Sequence, residues 1–255
     1  EDVTPMVAEH GGTVNLLECL RDINSIKSVV IITTDKVYKI KKNNKSYNES
    51  DELGGYDPYS SSKVAAEIVV NSYVKSFFKK TNLKNRISTV RAGNVVGGGD
   101  YSENRLLPDI IKSINSNSKL IIRNPNSIRP WQHVLEPLVG YLILAEYQYK
   151  GKIHEKNNVW NFGPKKNNSK KVIDIIKIMQ RLNFFNLNIK KNKEYKETEV
   201  LKLNSSKSKK KLKWHPKMTL QSTLYEVFDW NLKVRNKVSP KEVCENQFLM
   251  YINKK

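Results

Sequence analysis

Several stretches of this chain hold residues whose types and spacing suit proton transfer. Tyr59 and Lys63 stand four apart after Asp57-Pro58, with Ser60, Ser61 and Ser62 between them. On a helix that spacing places both side chains on one face, so an ammonium can be held beside a phenol. A phenol ordinarily titrates near pH 10, and fixed positive charge beside it is what lets such a group act as a base at neutral pH. The spacing alone is weak evidence. With 12 Tyr in a lysine-rich chain of 255 residues, chance gives about two Y-x-x-x-K matches. The chain holds Tyr38/Lys42, Tyr59/Lys63 and Tyr251/Lys255. Context separates them: Tyr38 lies in a lysine-rich loop and Tyr251 near the C-terminus, where chains fray, whereas Tyr59 opens a helix. A plain helix start with a solvated lysine reads the same residues without any chemistry.

A second stretch, Thr33-Thr34-Asp35-Lys36, directly follows a β-branched run. In open α/β sheets ligands bind outside the carboxyl ends of strands. By themselves Asp35 and Lys36 read as an ion pair or a turn. One loop ahead of Tyr59, a hydroxyl, an acid and an amine join a phenol in a set able to move protons. Further on, Asn94 precedes Gly97-Gly98-Gly99, where backbone can approach a bulky anion closely. No G-x-G-x-x-G occurs in the chain. In Ile128-Arg129-Pro130-Trp131-Gln132-His133-Val134, Arg129 suits a pyrophosphate through paired charge-assisted hydrogen bonds. Trp131 and His133 fit a ligand wall or a packed core equally well.

The elements that must position these groups follow from periodicity. Gly12–Leu20 is an amphipathic helix, and Ser28–Thr33 a strand of the kind buried on both faces of a parallel sheet. Tyr59 to about Phe78 is a long helix, and Ile87–Arg91 the next strand. Strand, helix and strand at this spacing make a βαβ unit, so the fold class is α/β with a doubly wound parallel sheet. Beyond Gly99 the pattern becomes mixed α+β. Helices are expected near Leu106–Ile114, Val134–Tyr147, Val172–Leu182, Leu220–Val234 and Lys241–Tyr251, and strands near Leu120–Arg123, Val159–Phe162, Leu187 and Val200. The domain boundary is set at residues 1–98 and 99–255.

Composition narrows the classes. Hydrophobic residues are 38% and charged residues 27%, and the longest apolar run, Leu138–Ala145, is too short to cross a bilayer. Cys19 and Cys244 stand far apart, which argues against a stapled scaffold or a cysteine zinc site and fits a reducing cytoplasm. The net charge of +20 comes from 37 Lys and only 8 Arg. Nucleic-acid readers lean on arginine, whose planar fork bonds in pairs. The excess therefore reads as surface bias, with Lys41–Lys45, Lys165–Lys171 and Lys207–Lys213 placed in loops. No metal, membrane or specific nucleic-acid partner is expected.

With these pieces in order, the sequence resembles the CDP-glucose 4,6-dehydratases of the extended short-chain dehydrogenase family. The resemblance runs from Gly12 to the C-terminus and rests on Gly55–Ser60, Arg91–Asn94, Ile122–Pro125, Trp160–Pro164 and above all Arg129–Leu138. It implies that residues 1–98 are the remaining part of a Rossmann NAD-binding domain and 99–255 a sugar-nucleotide-binding domain. It further implies dehydration of CDP-glucose to CDP-4-dehydro-6-deoxyglucose with bound NAD, in deoxysugar and polysaccharide biosynthesis. Tyr59 would be the base at the C4 hydroxyl, Thr34 its hydrogen-bond partner, Lys36 the base at C5, and Asp35 the acid at C6. Tyr59, Lys63 and Thr33 would touch the cofactor, and Asn94, Arg105, Arg129, Trp131 and His133 the substrate. Relatives of this kind dimerise through long helices, so a homodimer is expected. Asp35-Lys36 favours a dehydratase over the related 4-epimerases. Where the family opens with a strand, glycine-rich turn and helix, this chain begins at Glu1, and Glu9 replaces the family's Asn. About a hundred residues, or three strand–helix units, are therefore expected to be missing. A fragment of this kind is expected to be poorly stable and to retain no cofactor, and a catalytically inactive remnant is the alternative reading beside the 4-epimerase.

Overall fold

A computed structural model describes residues 4–41, 45–122, 124–154, 158–182, 187–189 and 201–254. In chain order the elements are α1 (Thr4–Asp22), β1 (Val29–Ile32), α2 (Pro58–Ser76), β2 (Ile87–Ala92), β3 (Val95–Val96), α3 (Leu106–Ser116), β4 (Leu120–Ile122) and β5 (Ile128–Pro130). There follow β6 (Gln132–His133), α4 (Leu135–Tyr149), β7 (Val159–Phe162), β8 (Ser169–Lys171), α5 (Val172–Leu182), β9 (Leu187–Ile189), α6 (Ser206–Leu212), α7 (Leu220–Arg235) and α8 (Pro240–Asn253). They form two compact units. The first comprises Glu1–Gly93, Leu138–Gly163 and Leu203–His215; the second comprises Asn94–Pro137, Pro164–Lys202 and Pro216–Lys255.

The first unit is a Rossmann-type α/β layer built on the parallel sheet β1-β2-β7. Every residue of β2 is buried, including Ser88 and Arg91. Against one face, α1 and α2 pack through Leu17, Leu20 and Val70, joined by Phe78, Leu83 and Ile87. Leu17 is fully buried, and such burial contributes roughly 2 kcal/mol. On α4, Gln148 accepts from Ser28 Oγ (2.6 Å) and donates to Ser88 Oγ (2.7 Å). Nearer the start of that helix, Phe162 lies edge-on to Tyr141 and Trp214. A Cβ on Gly140 would stand 2.5 Å from the Phe162 ring, so the close approach of helix and strand requires glycine there.

The second unit is mixed α+β. Its core gathers Leu107, Ile110, Ile111, Trp131, Ile175, Ile176, Met179, Leu224 and Val227 from α3, the segment between β5 and β6, α5 and α7. Short strand pairs frame it: β3 with β6 and β4 with β9 run parallel, and β5 with β8 antiparallel. Buried Glu136 accepts from Lys217 N (3.0 Å) and Tyr251 Oη (2.7 Å), tying the start of α4 to α8.

Three expectations are corrected. The Lys207–Lys213 run is not a loop: it forms α6, because Ser208 and Leu212, four apart, are buried and the lysines take the remaining faces. Ser208 Oγ donates to Asn161 O at 2.7 Å, and Lys207 Nζ lies 4.2 Å from the Trp160 ring centroid. The Lys165–Lys171 run contains β8, whose pairing with β5 outweighs its polarity. β1 is half-buried rather than enclosed, with Ile32 53% exposed, because among the described residues it pairs on one side only. The strand expected near Val200 and the Lys42 and Lys255 partners lie outside the described residues. Among those described, no helix is long and apolar enough to cross a membrane, and no cluster of His, Cys, Asp and Glu could hold a metal ion.

Candidate active site

β1 runs into Thr33 and Thr34, and the chain then makes a single 3-10 turn, Asp35–Val37. Thr34 caps that turn, its Oγ1 accepting from Lys36 N at 3.4 Å. The same hydroxyl donates to Asp35 Oδ1 at 3.3 Å. Thr33, Thr34 and Asp35 are buried, whereas Lys36 is exposed. The strand thus ends in a shielded hydroxyl and carboxyl followed by one projecting ammonium.

α2 presents its first turn to the same place. Asp57 is its N-cap, accepting from Ser60 N (2.9 Å) while Ser60 Oγ accepts from Asp57 N (3.1 Å). This reciprocal capping and Pro58 fix where the helix starts. Gly55, at φ +102°, turns the incoming chain, and its carbonyl accepts from Ser61 Oγ at 2.9 Å. Tyr59 therefore stands at the second helical position, 41% exposed. Lys63 Nζ lies 5.9 Å from its ring centroid and Lys36 Nζ 5.6 Å, one ammonium from the helix and one from the strand end. Two lysine ammonium groups thus flank the ring of one accessible tyrosine in the first turn of a helix.

The other Y-x-x-x-K tyrosines are set quite differently. Burial pushes the Tyr38 phenol up, and its hydroxyl donates to Asn161 Oδ1 at 2.7 Å. Burial and then the Glu136 carboxylate push Tyr251 up in the same direction. Neither is suited to base chemistry.

A buried polar network supports the site, and sequence reasoning missed it. Glu67 Oε1 accepts from Thr33 Oγ1 (2.7 Å) and Arg91 Nε (2.8 Å), and Glu67 Oε2 accepts from Arg91 Nη2. Burial opposes the Arg91 cation, but the paired carboxylate outweighs it and holds Arg91 above its ordinary range. The available signal was a Glu and an Arg inside segments otherwise patterned as a helix face and a buried strand. The Thr33 hydroxyl is engaged by Glu67 Oε1 and, at 3.1 Å, by Val90 O.

The remaining predicted residues lie in the second unit. Asn94 is half-buried, its carbonyl accepting from Gln132 N at 3.0 Å. Arg105 is exposed at the start of α3. Arg129 is 8% exposed, with Nη1 donating to Ile128 O at 3.0 Å. Trp131 is 3% exposed and donates from Nε1 to Lys170 O at 3.2 Å. His133 is 1% exposed; its Nδ1 accepts from Leu135 N at 3.4 Å, and its Nε2 has no hydrogen-bond partner among the described residues. That acceptor places the proton on Nε2.

Burial lowers the His133 pKa to about 4. Unfolded, the same imidazole titrates near 6.5, so between these values the unfolded chain binds the extra proton and acid favours unfolding. We expect roughly 2 to 3 kcal/mol of stability to be lost from this group between pH 7.5 and 4.5. Urea unfolding of wild type and His133→Gln at both pH values checks this, since the variant should show the smaller acid loss.

Residues 5–227 match the family model described as GDP-mannose 4,6 dehydratase. The chain belongs to that family. It is 43% identical over 227 residues to the CDP-glucose 4,6-dehydratase of Salmonella typhimurium, covering 86% of this chain and 62% of that protein. The chain thus spans less than two thirds of that dehydratase's length. Among solved structures, dTDP-glucose 4,6-dehydratase from Bacillus anthracis, in complex with NAD, superposes with a TM-score of 0.73 at 24% identity, over 87% of this chain and 66% of that one. A UDP-glucuronic acid 4-epimerase from Bacillus cereus superposes with a TM-score of 0.74 at 20% identity, over 89% of this chain and 68% of that one. These two likenesses establish the fold alone.

Proposed function

We propose that the chain carries the catalytic residues of an NAD-dependent dehydration of CDP-glucose to CDP-4-dehydro-6-deoxyglucose. The observation that carries the reading is the convergence of Lys36 and Lys63 on the accessible phenol of Tyr59. NAD would accept hydride from C4 and return it to C6, so the reaction is redox-neutral. The donor set fits such a cofactor, because the Lys63 ammonium lies 5.9 Å from the Tyr59 ring centroid at the start of α2, where the pair would meet a ribose and a nicotinamide.

Tyr59 Oη takes the proton of the C4 hydroxyl, with Thr34 Oγ1 hydrogen-bonded to that oxygen. The C4 ketone acidifies C5, and Lys36 Nζ removes the C5 proton. Asp35 protonates the C6 hydroxyl as it leaves as water. C5 then regains a proton that comes from solvent as hydride returns to C6, so the net change is the loss of one water. Asn94, Arg105 and Arg129 hold the diphosphate through charge-assisted contacts, and Trp131 and His133 belong to the same substrate-binding set. The paired helices α1 and α2 leave Leu16 and Ile68 exposed, at 44% and 57%, which supports a homodimer formed through this face. Free Cys19 and Cys244 suit a reducing cytoplasm.

Mass spectrometry of CDP-glucose incubated with the chain and NAD tests the reading. Loss of one water is expected. Unchanged mass with inverted C4 configuration would mean an epimerase, and an unaltered substrate would mean an inactive chain.

A further inference from the structure

Tyr59, Lys63 and Glu67 follow each other at intervals of four along α2 and so share one side of it. The first two belong to the proposed chemistry; the third is 5% exposed and ion-paired with Arg91, itself 2% exposed. Through its hydrogen bond to Thr33, the Glu67 carboxylate also grips the residue just before Thr34, Asp35 and Lys36. Arg91 extends the link: its guanidinium lies 4.6 Å from the Tyr38 ring centroid, and Nη1 donates to Glu49 O at 3.3 Å. One buried carboxylate therefore joins the helix carrying Tyr59 and Lys63, the strand end carrying Thr34 to Lys36, and central strand β2.

We infer that Glu67 and Arg91 are the positioning pair of this site, fixing the register between the two segments that bear its proton-transfer groups. The inference rests on the functional reading above. Stability gives a poor account of the pair. Desolvating both ions consumes most of their attraction, and apolar replacements of similar volume are often neutral or stabilising. What an apolar pair lacks is direction. A two-pronged carboxylate–guanidinium contact fixes both the rotation of α2 and its position along β2, and the third bond, to Thr33, ties the strand end to the same reference. Proton transfer needs that precision, since displacement by about 1 Å can cost 100-fold in rate.

The test compares wild type with Glu67→Leu/Arg91→Met in the full chain with NAD. The double variant should keep its melting temperature to within about 5 °C or exceed it. Its kcat for CDP-glucose should fall about 100-fold with KM changed less than about threefold. Amide exchange at Thr34, Lys36 and Val37 should quicken about tenfold, while the amides of β2 and β7 hold their protection. Thr33→Val leaves the ion pair intact and removes the strand link to Glu67, together with the longer contact of the same hydroxyl to Val90 O (3.1 Å). It should lower kcat about tenfold with the same local exchange signature, and it decides the matter if the double variant does not fold. Arg91→Lys keeps the charge but not the fork and should not restore kcat. Variants that fold with wild-type kcat and unchanged exchange at residues 34–37 would overturn the inference. If wild type forms no dehydrated product, the functional reading alone falls, and the exchange comparison still decides whether the pair holds the strand end.

Discussion

Replacing Tyr59 by phenylalanine is expected to lower CDP-glucose turnover by about three orders of magnitude, within the range that a positioned general base contributes. Only the hydroxyl is lost. The ring is 41% exposed, and a surface change of this size alters stability by no more than about 0.5 kcal/mol. The capping pair Asp57/Ser60 that starts α2 is untouched, and the Lys36 and Lys63 cations keep their aromatic partner. The loss should appear in kcat, because the C4 proton must leave as hydride departs and water in that place lacks the fixed cations beside the phenol. Steady-state kinetics beside a melting curve checks the prediction. Equal activity in the two proteins would remove Tyr59 from the chemistry.

Lys36→Met has an effect of similar size but of another kind. If Lys36 is the C5 base, its loss should slow dehydration by about 100- to 10,000-fold while leaving oxidation at C4 possible. Under single-turnover conditions the sugar nucleotide should then accumulate two hydrogens lighter, as the C4 ketone, and not one water lighter. Lys36 is exposed, so the fold should not suffer. Methionine keeps the length of the side chain and removes the amine. A variant that still releases water at the wild-type rate would assign the C5 proton elsewhere. A wild type that only inverts C4 would have no use for this amine, and the variant would invert it equally well.

The parts of the fold legible in the sequence are those with local causes. β1, Val29–Ile32, is an apolar run of strand length, and α2 announces itself through Asp57-Pro58 and Ser60, which become a capping box with proline at the first turn. Tyr59 and Lys63 could be placed together because a helix has a fixed period, and Thr34 to Lys36 because they follow a strand directly. Other features answer to the tertiary environment. α1 begins at Thr4, ahead of the predicted Gly12, because Gly11 and Gly12 sit within the helix instead of ending it. α6 hides in a lysine run, since two buried positions one turn apart are too few to make a visible stripe. β5 and β8 are each three residues long and gain their meaning from each other. The supporting network joins positions 33, 38, 67, 91 and 161, which no local period connects. Trp131 and His133 could be read as core or as ligand wall. The core role of Trp131 became visible only once α3, α5 and α7 were packed around it.

The central claim is that this chain removes water from a sugar nucleotide by way of a C5 proton transfer, and incubation with CDP-glucose and NAD in deuterated water tests it most directly. After exchangeable positions are returned to hydrogen, mass spectrometry should find a product one water lighter that carries one deuterium, located at C5. That label records removal of the C5 proton and its replacement from solvent. A sugar nucleotide of unchanged mass, or a dehydrated product without deuterium at C5, would contradict the account.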